Sequence, residues 1–214
     1  MMKKSQNNYL LKKRQVVLRF AKEFVSENGL TKNCLENISK KYGLNTDETD
    51  LLFPQGNIDL IKFALEQLNN DLEVYCRQID LIRLPIHKRI RKVLLSKISL
   101  MNKDKPFYRS IFLNLLIPKK NFSLSNQLYN SVDQIWFIAG DSSTDFNFYT
   151  KRLILSGIYS RVILFFFNNN NQEELENILD ESLKRVSKIP EIKSKLKIFK
   201  DFLPKIANFV KNSY

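Results

Sequence analysis

An all-α fold is predicted by three observations. Of 214 residues only five are Gly and six Pro, while Leu, Ile, Lys and Asn abound, which leaves few of the residues that punctuate a turn-rich β structure. Apolar residues recur at intervals of three and four along most of the chain, the period of one helix face. No stretch alternates in the manner of a strand, and no internal repeat or long linker breaks the pattern.

The elements follow in order. A first helix is predicted from about Tyr9 to Asn28, stopped by Gly29, and a short one capped by Thr31 carries Leu35, Ile38 and Tyr42 before Gly43 ends it. Asn45-Thr46 opens a third helix that reaches Phe53, and Pro54-Gln55-Gly56-Asn57 makes a turn. Longer helices are predicted from Ile58 to about Leu84, Pro85 to Lys103, Pro106 to Ile117 and Ser123 to Ala139. The next, from about Asp145 to Phe167, is apolar nearly all round and should be buried, although its first turns carry Asn147, Tyr149, Lys151 and Arg152. Asn168–Asn171 connects it to a helix from Gln172 to Lys188, and a last helix runs from Glu191 to the end.

Several function classes lack their residues. Cys34 and Cys76 stand apart with no Cys-x-x-Cys, and His87 is the single histidine, set in the basic run Lys88-Arg89-Ile90-Arg91-Lys92. One histidine cannot furnish a di-iron bundle or a zinc site of ordinary composition, and no glycine-rich phosphate loop is present. The longest apolar run, Val162 to Phe167, falls far short of the roughly 20 residues that span a bilayer. With no secretory pattern ahead of Tyr9, a reduced, soluble, intracellular protein without metal or cofactor is expected.

The formal charge of +13 invites a nucleic-acid or membrane partner. Twenty-five of the 35 basic residues are Lys, so compositional bias accounts for much of the total and its distribution says more. Residues 1–22 hold seven basic side chains and no acid, and five more lie between Arg83 and Lys92.

Within the sequence "FIAGDSSTDFNFYTKR", Phe137 to Arg152, two carboxylates, the three consecutive hydroxyls Ser142–Thr144 and a basic pair sit together. Asp141 and Asp145 could form an acid–base pair. Against this, Gly140-Asp141 follows a helix end and Ser143, Thr144 and Asp145 are good N-cap residues, so capping is the preferred reading and catalysis is not expected.

Two resemblances bear on these segments. "VVLRFAKEFVSENGLTKNCLENISKKYGL" resembles the helix-turn-helix frame of the TetR transcription regulators, which makes a DNA-binding regulator the alternative reading. The segment that would enter the major groove, "NTDETDLLF", instead carries Asp47, Glu48 and Asp50 and no basic residue. Carboxylates repel phosphates, and bases are read mainly by Arg, Lys, Asn and Gln. No nucleic-acid partner is expected.

The second is more specific. Trp136, Ala139-Gly140-Asp141, Ser143-Thr144-Asp145-Phe146-Asn147, Tyr149-Thr150 and Arg152 closely resemble the hallmark of the accessory lipid-binding family of ubiquinone (coenzyme Q) biosynthesis, the ninth member of that set. "FPQGNIDLIKF" and "LNLLIPKKNFSLSNQL" look like further family segments, so the resemblance extends over about residues 10 to 188. The family usually has Trp where this chain has Phe148, which keeps an apolar face and loses an indole N–H.

The resemblance implies a TetR-like fold without DNA binding. It also implies a non-enzymatic carrier that takes isoprenoid quinone intermediates from the membrane to the di-iron hydroxylase acting on demethoxyubiquinone. On that reading the bound lipid is an isoprenoid quinone or phospholipid, lined by Phe112, Leu116, Trp136, Leu155, Ile158, Tyr159, Val162 and Phe166. Arg152 either meets a lipid phosphate or pairs with Asp141 or Asp145. Asp141, Asp145, Asn147, Phe148 and Tyr149 would meet the hydroxylase. Phe148 and Tyr149 point roughly 100° apart on a helix, so one can face the core while the other is exposed.

The tail gives a pattern of its own. Ile192, Leu196, Phe199, Leu203, Ile206 and Val210 recur at helical spacing, flanked by Phe202 and Phe209, with Lys193, Lys197, Lys200 and Lys211 on the other side. Such a basic amphipathic helix suits a membrane interface, though Pro204 should kink it; packing on the core or across a homodimer is the alternative. The expected organisation is a degenerate helix-turn-helix segment (1–57), a helical lipid-binding core (58–189) and a C-terminal membrane helix (190–214). The expected location is the inner face of a bacterial cytoplasmic membrane, held peripherally.

Overall fold

The computed structural model describes residues 2–116, 122–142 and 146–187, and among these the regular structure is entirely helical. The helix α1 (Met2–Asn28) ends where Gly29 takes a left-handed backbone, φ 71°, a conformation open to glycine without a Cβ penalty. Then come α2 (Cys34–Tyr42) and α3 (Thr46–Leu52). The Asn45 side chain accepts the Glu48 N–H at 3.0 Å, as an N-cap should. Thr31 does not cap α2; its carbonyl accepts the Cys34 N–H and the Asn57 side-chain amide, so it opens a turn ahead of the helix.

These three helices form the TetR-like N-terminal unit. Leu35 and Ile38 are buried from α2, and the Ser39 and Thr49 hydroxyls meet at 3.1 Å between α2 and α3. The guanidinium of Arg14 lies over the rings of Phe53 and Phe63, 4.9 and 4.3 Å from their centroids, and ties α1 to the start of the larger bundle.

The bundle comprises α4 (Asn57–Arg77), α5 (Ile86–Asn102), α6 (Lys105–Leu116), α7 (Phe122–Ile138), α8 (Phe146–Asn168) and α9 (Gln172–Ser187). Helix α4 packs on α5 and α7, α8 lies between α7 and α9, and α6 returns against α1. The expected helix from Ile58 to Leu84 is shorter than predicted. After Arg77 the chain turns through three-residue bonds, Ile79 N–H to Cys76 carbonyl and Leu84 N–H to Leu81 carbonyl, which tuck Leu81 into the core. Pro85 disfavours a helical Leu84, and Arg89 holds the carbonyls of Ile82 and Leu84, each at 2.7 Å. Helix α8 buries Leu155, Ile158, Tyr159, Val162 and Ile163 as expected, yet leaves Leu153 and Leu164 exposed. The expected helix from Glu191 lies outside the described residues.

Candidate functional site

The Trp136–Arg152 motif folds around the junction of α7 and α8. Helix α7 closes in Gly140, φ 83°, with the Asp141 N–H bonded back to the Trp136 carbonyl at 3.0 Å. A Cβ at Gly140 would lie 3.0 Å from Nη1 of Arg89, which itself donates to the Ala139 carbonyl at 3.2 Å. The Ala-Gly-Asp of the motif is therefore set by backbone shape.

The turn points the Asp141 carboxylate inward, where 4% of the side chain is exposed. Lys151 Nζ meets one of its oxygens at 2.7 Å and Arg152 Nη1 the other at 3.3 Å. Arg152 is itself buried; its Nε donates to Asp133 at 2.5 Å and its Nη1 to the Phe148 carbonyl at 3.1 Å. Trp136 Nε1 donates to the Lys151 carbonyl at 3.2 Å, and the Lys151 ammonium stands 5.4 Å from the indole. With Asp133 as a second carboxylate the two cations are matched in charge, and the cluster is suited to fixing α8 on α7. Of the two roles open to Arg152, these contacts are the ion pair with Asp141, supplemented by Asp133.

The same arrangement sorts the aromatics. The guanidinium of Arg152 lies 3.2 Å from the Phe148 ring centroid, and Phe148 is half-buried beneath it. Tyr149, edge-on to Phe148 at 5.2 Å, is 51% exposed. One aromatic faces in and its neighbour faces out. One turn beyond Tyr149 on α8, Leu153 is 50% exposed; near the end of α7, Phe137 is 67% exposed. Neither was singled out from the sequence, although the four-residue spacing of Tyr149 and Leu153 marks one face. Asp145 and the side chain of Asn147 lie outside the described residues.

The expected lipid-lining residues form close-packed core. Phe112, Trp136, Leu155, Ile158, Tyr159, Val162 and Phe166 are all buried, and Phe112 meets Tyr159 and Phe167 at ring separations of 6.0 and 5.5 Å; the Leu116 side chain is outside the described residues. Within this core lies Lys97, fully buried on α5, its Nζ 2.8 Å from Asn69 Oδ1 and 5.4 Å from the Tyr159 ring centroid. Burial lowers its pKa to about 7. The Tyr159 hydroxyl and Gln134 Oε1 are buried without a hydrogen-bond partner among the described residues. The sequence contained a sign of Lys97: it occupies the face marked by Ile90, Val93, Leu94, Ile98 and Met101. An open groove of about 750 Å³ lies elsewhere, between α4, α5 and α9, and none of the expected lining residues borders it. No helix among the described residues is long and apolar enough to cross a membrane, and none of their His, Cys, Asp and Glu side chains group as metal ligands.

Comparison with known proteins bears on the same segment. Residues 123–190 match the COQ9 family model. Over 150 residues the chain is 27% identical to the ubiquinone biosynthesis protein COQ9, mitochondrial, of Rattus norvegicus, covering 67% of this chain and 48% of that protein. It is 24% identical over 190 residues to the protein of that name from Bos taurus, covering 83% and 60% respectively. With the Schizosaccharomyces pombe protein it shares 28% over 166 residues, covering 72% and 60%. The chain thus spans about half to three-fifths of the length of these relatives. All three are named as mitochondrial, which overturns the expected bacterial cytoplasmic membrane. The resemblance carried by Trp136–Arg152 is met by these matches, and the chain is related to the COQ9 proteins of ubiquinone biosynthesis.

Proposed function

We propose that this chain is a non-enzymatic, lipid-binding accessory protein of ubiquinone biosynthesis. It takes isoprenoid quinone intermediates from a membrane and presents them to a di-iron hydroxylase. The observation that carries this reading is the α7–α8 junction: Asp141, Arg152 and Asp133 fix a rigid support from which Tyr149, Leu153 and Phe137 project as exposed apolar side chains. Rigid aromatic anchors of this kind are typical of protein–protein contacts. The expected lining residues around Tyr159 are apolar and close-packed, with Lys97 and Gln134 as polar groups among them; a largely apolar ligand suits that composition, and the core would have to part to admit it. The basic amphipathic pattern from Ile192 to Val210, outside the described residues, is the expected membrane contact.

The helix-turn-helix frame supports no competing role in DNA reading. Helix α3 presents Asp47, Asp50 and an 80% exposed Leu51, and Glu48 pairs with Lys13 of α1. Native mass spectrometry of the purified protein, with extraction of bound lipid, tests the proposal. Isoprenoid quinone or phospholipid should copurify, and duplex DNA should bind only weakly and non-specifically. A lipid-free protein with a sequence-selective DNA footprint would replace this reading with that of a regulator.

A further inference from the structure

The groove between α4, α5 and α9 is not used by the function proposed above. Its apolar lining is Tyr75, Ile79, Leu84 and Leu95, with Ser96, Ser99, Gln172 and the Arg91-paired Glu176 beside them, and its volume of about 750 Å³ falls within the range of small-ligand sites. Two ammonium groups stand at its edge, on Lys88 and Lys92, one helical turn apart and both exposed. Of the neighbouring cations, Arg89 donates to the carbonyls of Ile82, Leu84 and Ala139, and two others are paired with acids. Arg91 is held by Glu176 at 2.9 Å and Asp180 at 2.6 Å, which closes α9 on α5, and Arg83 pairs with Asp80 at 3.0 Å. Among the described residues no acidic side chain forms an ion pair with Lys88 or Lys92.

The corner leading into this edge exposes isoleucines beside the Asp80–Arg83 ion pair. Ile82 is 84% exposed and Ile86 42%, at the end of the α4–α5 hairpin. Bare isoleucines on a projecting corner, flanked by uncompensated lysines, match the layering of a bilayer interface, with anionic headgroups outside and acyl chains beneath. We propose that this corner docks on an anionic membrane and that the groove takes an acyl chain of one anionic phospholipid, whose phosphate is held by Lys88 and Lys92. The occupant follows from charge: the groove edge is cationic, so the lysine-rich tail of this chain would be repelled from it, whereas an anionic lipid is complementary. The site is separate from the buried core around Tyr159 and from residues 190–214, so it can fail while the carrier reading stands.

Hydrogen exchange of the full chain, followed by mass spectrometry of peptides covering residues 78–95 and 190–214 separately, tests it. The probes are phosphatidylglycerol vesicles, phosphatidylcholine vesicles and inorganic phosphate. Exchange in 78–95 should slow only with phosphatidylglycerol. In a Lys88→Gln/Lys92→Gln variant, the lipid concentration needed for that protection should rise about thirtyfold while the tail peptide responds as before. Both lysines are exposed, so the variant keeps its fold. Protection by inorganic phosphate alone would assign the edge to a free anion. An unchanged 78–95 segment with a protected tail, or full protection in the double variant, would likewise overturn the proposal.

Discussion

Arg152 carries more of the motif's organisation than any other side chain. It joins α7 through Asp133, the turn through Asp141 and its own helix through the Phe148 carbonyl. Removing one member of such a buried pair costs about 3–5 kcal/mol, because the partner is left charged and desolvated. Lys97 poses the opposite problem, a cation without a buried counter-charge. Its pKa falls from 10.5 to about 7 on folding, so between those values the unfolded chain binds the extra proton. Stability linked to Lys97 is therefore present in full above pH 10.5 and is lost as pH falls toward 7. The window from pH 7 to 9 isolates this effect, since the buried Cys34 thiol, raised to about 11, opposes it only above about pH 9. Melting temperature should rise across that window, and Lys97→Met should flatten the rise. A wild-type profile already flat between pH 7 and 9 would mean that Lys97 keeps its proton in the fold.

At the scale of elements, α8 joins two kinds of surface in one helix. Leu155 belongs to the core at 1% exposure and Leu153, two residues earlier, is half exposed beside Tyr149. Truncation should separate them. Leu155→Ala should cost roughly 2–5 kcal/mol, the usual range for a buried leucine, and Leu153→Ala about 0.5 kcal/mol or less, as read by chemical denaturation. Comparable losses at both sites would mean that Leu153 is covered in the working protein. The all-round apolar sequence of α8 announced a buried helix without revealing this division, because periodicity cannot say which side a neighbour leaves open. The early end of α4 was hidden for a similar reason. Ile79, Leu81 and Leu84 continue an apolar pattern, and the bonds from Arg89, brought in from the next helix, help to hold the turn there.

Across the whole molecule, what was legible in the sequence was local. The glycine stops at Gly29 and Gly43, the Asn45 cap, the all-α class and the split of Phe148 from Tyr149 all depend on neighbours within a turn or two. What was not legible depends on distant pairing. Asp133 meets Arg152 across two helices, Lys97 meets Asn69 across two others, and the groove exists because Arg91 draws α9 onto α5.

The central claim is that the α7–α8 junction is a docking surface built on a buried ionic support. Its most direct test measures the affinity of Tyr149→Ala for the di-iron hydroxylase together with the melting temperature of the variant. Truncating an exposed anchor should cost about 2 kcal/mol of binding, near thirtyfold in Kd, and leave the melting temperature close to that of the wild type. A folded Tyr149→Ala protein that binds the hydroxylase with undiminished affinity would contradict the account.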